Sequence, residues 1–307
     1  MSGLRSLARV RRREVTPEAY RKVTLLALLA LVFIVVTGAS VRLTGSGLGC
    51  PDWPTCDGTR VVSEFRDTPE IVEFVNRMIT GLVSVAVAAA VLGSRWRVPH
   101  RRDLVLLSWA LVWGVVAQVV LGGVTVLTEL NPLTVMGHFL LSMALVAVAV
   151  VLHHRAGEPH DGERRPTVAR STVLASRGVV GLTAAVLVIG TVVTGTGPHG
   201  GDPDVERLSL AIRDVVRVHA TLAWVLTALL LVVMVRTRRG VGVLAAVAAQ
   251  ITVGYVQYFN GVPELLVGIH VLLATLVWIA VLWLHLGLWT VVETRDREPE
   301  PVAAAAP

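Results

Sequence analysis

Three histidines stand inside long apolar segments of this chain: His138, His219 and His270. Polar side chains in such segments are costly and usually functional. His219 and His270 sit at matched depth, each about one and a half helical turns, roughly 8 Å, inside the end of its segment. Two imidazoles so placed can face each other across a haem iron, and bis-imidazole ligation suits a stable low-spin cytochrome b. Either histidine alone would read as a hydrogen-bonded packing residue. His138 lacks such a partner, because the position corresponding to His219 is Asn76, in Glu73-Phe74-Val75-Asn76-Arg77. A haem there would have one strong protein ligand and a poor one opposite, which favours an exchangeable or reactive position. Residues 73, 76 and 77 share one helical face. Glu73 and Arg77 can form a plain ion pair. The same carboxylate beside a haem edge could move protons or stabilise a developing cation. Arg77 could neutralise a haem propionate. Arg217 is a second propionate candidate, or a side chain that snorkels to the interface.

The elements that hold these residues are long. Of 307 residues, 54% are hydrophobic and 16% charged, against roughly a quarter charged in soluble domains. Eight apolar blocks reach the length of a spanning helix, near 23–41, 71–92, 104–127, 133–152, 179–197, 214–235, 241–258 and 264–286. No short alternating runs point to strands. Helices satisfy their own backbone in lipid, so the reading is an all-α membrane protein of eight transmembrane helices. Of the 28 Lys and Arg, 21 fall before residue 23, in 95–103, 153–178 and 236–239, and in the C-terminal tail. That bias predicts cytoplasmic N and C termini in a multi-pass cell-membrane protein, bacterial in kind. It also explains the net charge of +6 without a nucleic-acid partner. The run after Arg11-Arg12-Arg13 lacks a small-residue cleavage site, so it reads as a retained first span and not a signal peptide.

The chain divides into a tail (1–22), a four-helix half (23–152), a cytoplasmic linker (153–178), a second four-helix half (179–286) and a tail (287–307). The halves form two pseudo-symmetric bundles. Gln118, Gly122 and His138 match Gln250, Gly254 and His270 at one constant offset. Val35-Val36-Thr37-Gly38 matches Val192-Val193-Thr194-Gly195. An even number of spans separates equivalent elements, so the repeats are parallel. The outer loop 42–70 holds both cysteines, Cys50 and Cys56. A short disulfide suits that oxidising side. Two free thiols or half a metal site are the other readings, and no further cysteine completes a zinc site. His199, in the polar loop after the fifth span, is a weak ligand candidate. His285 reads as structural, His153 and His154 as part of a solvated linker, and the tryptophans mostly as interface anchors.

At these residues the sequence resembles the haem A synthase family. The resemblance rests on Val41-Arg42-Leu43-Thr44-Gly45 through Cys50-Pro51-Asp52-Trp53-Pro54-Thr55-Cys56, on Glu73 to Arg77, Gly137-His138, Gly197-Pro198-His199-Gly200-Gly201-Asp202, Val218-His219, and Gln257-Tyr258-Phe259 through His270. It implies haem b in the second half on His219 and His270, and haem O as substrate in the first half near His138. It implies oxidation of the haem O C8 methyl to the formyl of haem A by successive oxygenations, with Glu73 as the glutamate that step needs. The cysteines match a pair in the family's outer loop. The family motif is Glu-x-x-His-Arg, and Asn76 stands here at the histidine. A haem O synthase is then a handover partner, and an electron donor, unidentified, is required.

Two other classes fit part of the pattern. A membrane cytochrome b passing electrons would use His219 and His270 but leave Glu73 and the cysteine loop unexplained. A non-enzymatic haem carrier would suit broken helices at mid-membrane, whereas the polar residues here lie near one face.

Overall fold

The computed structural model describes residues 14–59, 62, 64–65, 67–160 and 162–292. Its helices are α1 (Pro17–Leu43), α2 (Thr68–Trp96), α3 (Arg102–Leu127), α4 (Pro132–Ala156), α5 (Arg170–Thr196), α6 (Ile212–Thr237), α7 (Val241–Phe259) and α8 (Glu264–Leu286). All eight are long and apolar enough to cross a membrane, and the chain is a multi-pass membrane protein. Every expected span is present. Several run past their apolar blocks because local signals start them earlier. Thr16 caps α1, its Oγ1 accepting the Ala19 N–H at 3.2 Å ahead of Pro17 at the first turn. Asp67 caps α2 by accepting the Glu70 N–H at 2.9 Å, and Asn131 caps α4 by accepting the Leu133 N–H at 3.0 Å.

Two expectations are corrected on the side that carries the basic loops. Strands were not expected, yet β1 (Glu163–Pro166) and β2 (Trp289–Val292) pair antiparallel. They tie the α4–α5 linker to the residues after α8. The linker itself is shorter than 153–178, because α4 runs to Ala156 and α5 starts at Arg170. His153 and His154 are therefore helical, not solvated. His153 is buried, its Nδ1 is 3.0 Å from Thr24 Oγ1, and Trp283 lies beside both rings. The outermost parts of the two tails, 1–13 and 293–307, lie outside the described residues.

Apolar packing forms two clusters. One joins α1–α4 through Tyr20, Leu28, Leu104, Leu111 and Val146, and reaches α8 at Trp278. The other joins α5–α8 through Val179, Leu226, Leu230, Val247 and Val281. Trp278 is buried and donates its Nε1–H to the Met143 carbonyl at 2.9 Å, so it is a core residue and not an interface anchor. Leu26, Val85, Leu106 and Leu265 point outward, where a bilayer would cover them.

The cysteine-bearing loop between α1 and α2 is seated on the start of α2. A Cβ on Gly49 would fall 2.3 Å from the backbone carbon and oxygen of Pro69. No flexible side chain can give way there. Gly49→Ala is expected to lift the loop from α2 at a cost of about 1–3 kcal/mol. Thermal unfolding in detergent checks this, and a wild-type midpoint would contradict the close seating.

Candidate functional site

Each of the three imidazoles rests on a glycine of a neighbouring helix. A Cβ on Gly122 of α3 would lie 3.2 Å from His138 Cε1. On Gly254 of α7 it would lie 3.2 Å from His270 Cε1, and on Gly190 of α5 it would lie 3.1 Å from His219 Cε1. The glycines let the rings approach the backbone. All three Nδ1 atoms are buried without a hydrogen-bond partner; the Val186 backbone approaches the His219 ring without completing a bond. Nε2 is left for the cavity that all three residues line. His138 and His270 each stand six residues into their helices from Pro132 and Glu264, about 9 Å along the axis.

His219 and His270 face each other with ring centroids 6.4 Å apart and planes at 56°. With metal–nitrogen bonds of about 2.0 Å, imidazoles on opposite sides of one metal ion have ring centres roughly 6 Å apart. The pair therefore has the spacing of two axial ligands.

At Asn76, which lines the cavity with His138, the arrangement differs. Asn76 Oδ1 accepts the Thr37 hydroxyl at 2.9 Å. That leaves the Asn76 amide NH₂ as a donor at the cavity, where an imidazole would have been an acceptor or ligand. Thr37 meets Asn76 as Gly190 meets His219. Helices α1 and α5 are both 27 residues long, and aligning their ends also pairs Thr37 with Gly190. The match of Val-Val-Thr-Gly in the two helices is thus one helical turn out of register with the packing. Apolar repeats slip easily by a turn, and only the contacts fix which residue meets which.

Glu73 is 5% exposed and lines the cavity. Its Oε2 accepts the Cys50 N–H at 2.7 Å, and its Oε1 accepts Arg77 Nε–H at 3.1 Å and an Nη2–H at 2.5 Å. Arg77 also donates to the carbonyls of Thr55, Cys50 and Asp52 at 2.9, 3.0 and 3.1 Å. Cys50 and Cys56 form a disulfide. The expected ion pair exists, and it clamps the disulfide loop across the helix end. Trp53, in that loop, covers Gly123 of α3, where a Cβ would fall 2.5 Å from its ring.

One cavity of about 1500 Å³ connects these groups. It reaches Asn76, Glu73 and His138 on one side and His219 and His270 on the other. Arginines also line it. Arg217 is exposed and 3.4 Å from Asp214, so the sequence-derived propionate candidate already has an acidic partner. Arg42 and Arg207 also line the cavity. Burial pushes the Arg207 guanidinium below its ordinary range. His199 Nε2 meets the Val262 carbonyl at 2.6 Å, which ties the loop after α5 to the α7–α8 turn. His285 Nδ1 meets Ser176 Oγ at 2.9 Å, the structural role expected of it.

Residues 21–282 match the family described as Cytochrome oxidase assembly protein, COX15-CtaA. The chain belongs to this family. It is 31% identical over 128 residues to a protein named Heme A synthase from Lysinibacillus sphaericus, across 41% of this chain and 41% of that one. It is 27% identical over 150 residues to the Heme A synthase of Bacillus licheniformis, covering 48% and 49% of the two chains. The Heme A synthase of Listeria welshimeri is 31% identical over 131 residues, covering 42% and 43%. In these matches the chain spans less than half the length of its curated relatives.

Sequence reasoning named His138, His219, His270, Glu73 and Arg77, which line one cavity, and the cysteine pair, which forms the disulfide. It gave no site role to Gly190, Thr37, Arg42, Arg207 or Trp53. Gly190 carries a weak signal, a glycine inside an apolar span, where it costs helix stability unless close packing needs it. The others make their contacts only across the fold. The Thr37–Asn76 pair generates a prediction. Asn76→His alone leaves a ring pressed on the Thr37 side chain. Asn76→His with Thr37→Gly restores the clearance found at Gly190. With haem supplied, the double variant is expected to gain a second low-spin bis-imidazole spectrum and the single variant none. Identical spectra for the two variants would count against this placement of Thr37.

Proposed function

We propose that this chain is a haem A synthase, oxidising the C8 methyl of haem O to a formyl group. The observation that carries the reading is the contrast within one cavity. His219 and His270 form a pair at axial-ligand spacing. His138 lines that cavity together with the Asn76 carboxamide and the Glu73 carboxylate, and Asn76 is held by the Thr37 hydroxyl. Among the described residues, no group of three or more His, Cys, Asp or Glu could hold a bare metal ion. A porphyrin supplies four nitrogens of its own and asks only axial ligands of the protein, which these imidazoles fit. The buried, unpartnered Nδ1 atoms are consistent with neutral rings that present Nε2 to iron. The names of the relatives point to the same reaction.

In this reading the second half, 179–286, holds haem b on His219 and His270. Haem b held by both imidazoles would supply electron transfer there rather than take the substrate. The first half, 23–152, takes haem O at His138. Each of two successive oxygenations consumes one dioxygen, two electrons from the donor and two protons, turns one methyl C–H bond into C–OH and releases one water, and loss of water from the resulting diol gives the formyl. Glu73 stands at the cavity with its charge held by Arg77 and the Cys50 N–H. A fixed carboxylate stabilises positive charge that develops on the carbon being oxidised, or accepts the proton released there at Oε1 or Oε2. Asn76 donates its amide N–H to a polar group bound opposite His138. The disulfide loop, with Trp53 over Gly123, limits water entry at that end. The positive-inside bias supports cytoplasmic termini, with the cysteine loop on the outer side. An external electron donor and, for a product this apolar, direct handover from a haem O synthase complete the scheme.

The test is pigment extraction from a host that makes haem O and lacks haem A. Expression of this chain is expected to yield haem A or its hydroxylated precursor. Haem b on the purified protein with the haem O pool unchanged would replace this reading by an electron-passing cytochrome b. Glu73→Gln keeps an acceptor for the Cys50 N–H but loses the charge. It is expected to lower haem A yield by about a hundredfold or more while leaving the bis-imidazole spectrum of the second half intact. Wild-type yield from Glu73→Gln would remove Glu73 from the chemistry.

A further inference from the structure

We propose that Arg42 and Arg207 form a two-guanidinium clamp that binds a propionate of the haem held in the first half. The inference rests on the haem reading above and names the residues that recognise the carboxylate edge of the substrate.

Arg42 lies in the last turn of α1, and Arg207 in the segment 197–211 between α5 and α6. The fold brings them to one place. The Gly47 N–H donates to the Gly201 carbonyl at 2.9 Å, and the Leu208 N–H donates to the Gly195 carbonyl at 2.9 Å. Gly201 has a φ of +108°, and a Cβ there would fall 3.5 Å from Arg42 Cγ. Gly200 leaves room for Arg207, since its Cβ would fall 2.0 Å from a guanidinium nitrogen. Arg207 donates to the Pro198 carbonyl. Both arginines line the cavity.

Their charges are not met by the protein. Of the arginines that line the cavity, Arg77 and Arg217 have a carboxylate partner, whereas Arg42, Arg207 and the exposed Arg213 have no ion pair among the described residues. The charge that acts on Arg42 is that of Arg207, of like sign. Asp204 and Glu206, in the same segment, are exposed, and Asp202 accepts the Asp204 N–H at 3.1 Å. Glu206 lines the same cavity without forming an ion pair with either arginine, and two like charges held together there suit an anion that supplies the missing charge. A carboxylate fits the planar fork of a guanidinium. Arg42 is five residues beyond Thr37, about 8 Å along the α1 axis. Thr37 fixes the level of Asn76, which lines the cavity with His138. The clamp thus sits above the first site at a distance a propionate arm can bridge from the iron. Arg217, neutralised by Asp214, is a poorer candidate.

The test titrates purified full-length protein with iron protoporphyrin IX and with its dimethyl ester, which lacks the carboxylates. The first-site signal is the component that His138→Ala abolishes. Wild type is expected to prefer the free acid. Arg42→Gln is expected to weaken free-acid binding about tenfold or more, the loss of one charge-assisted hydrogen bond, and to leave ester binding unchanged. Arg42→Lys should keep most of the preference. Arg207→Gln, outside the helices, tests the same clamp if Arg42→Gln fails to fold. An intact second-half spectrum reports folding in each variant. Equal preference for the free acid in wild type, Arg42→Gln and Arg207→Gln overturns the clamp and leaves the haem reading standing. Wild-type protein that binds neither porphyrin overturns the haem reading and the clamp with it.

Discussion

Polar groups inside a bilayer must find partners within the protein or its ligands, and three imidazoles in this bundle have none among the side chains around them. Each is pressed on a helix glycine, with the other ring nitrogen left for the cavity. The rest of the site follows from that constraint. Glycine is a poor helix residue, so Gly122, Gly190 and Gly254 weaken their helices in exchange for close ring approach. Rings held this way have little freedom to turn. Such preorganisation is what an axial ligand or a substrate anchor requires.

The two halves use one packing scheme for different ends. In the second half, glycine beside histidine leaves two imidazoles face to face. In the first, threonine stands in the glycine's place and asparagine in the histidine's. The two differences meet in one contact, the Thr37 hydroxyl donating to the carboxamide of Asn76. The Glu73–Arg77 pair adds a further link. It joins the helix that carries Asn76 to the disulfide loop above it, so the cover of the first site and its charged group form one unit.

Much was legible in the sequence because membrane helices write themselves in long apolar blocks. The eight spans, the depth of the histidines and the Glu73–Arg77 pairing follow from composition and helical spacing. The match of Gln118, Gly122 and His138 with Gln250, Gly254 and His270 was also visible, since polar residues mark register where apolar ones do not. The helix ends, the β1–β2 pairing and the burial of His153 and Trp278 were not. They depend on caps and on contacts between segments far apart in the chain.

By itself, then, the sequence determined the eight-helix membrane class and the residue types able to ligate iron, because hydropathy and helical period are local properties. The tertiary structure decided which residue meets which. It set Thr37 against Asn76, one turn from the apparent repeat, because an apolar helix can slide by a turn without altering its hydropathy. It turned Glu73 toward Cys50, and it brought Arg42 and Arg207 together from segments more than 150 residues apart. Those pairings arise from packing across the fold, which no local pattern records.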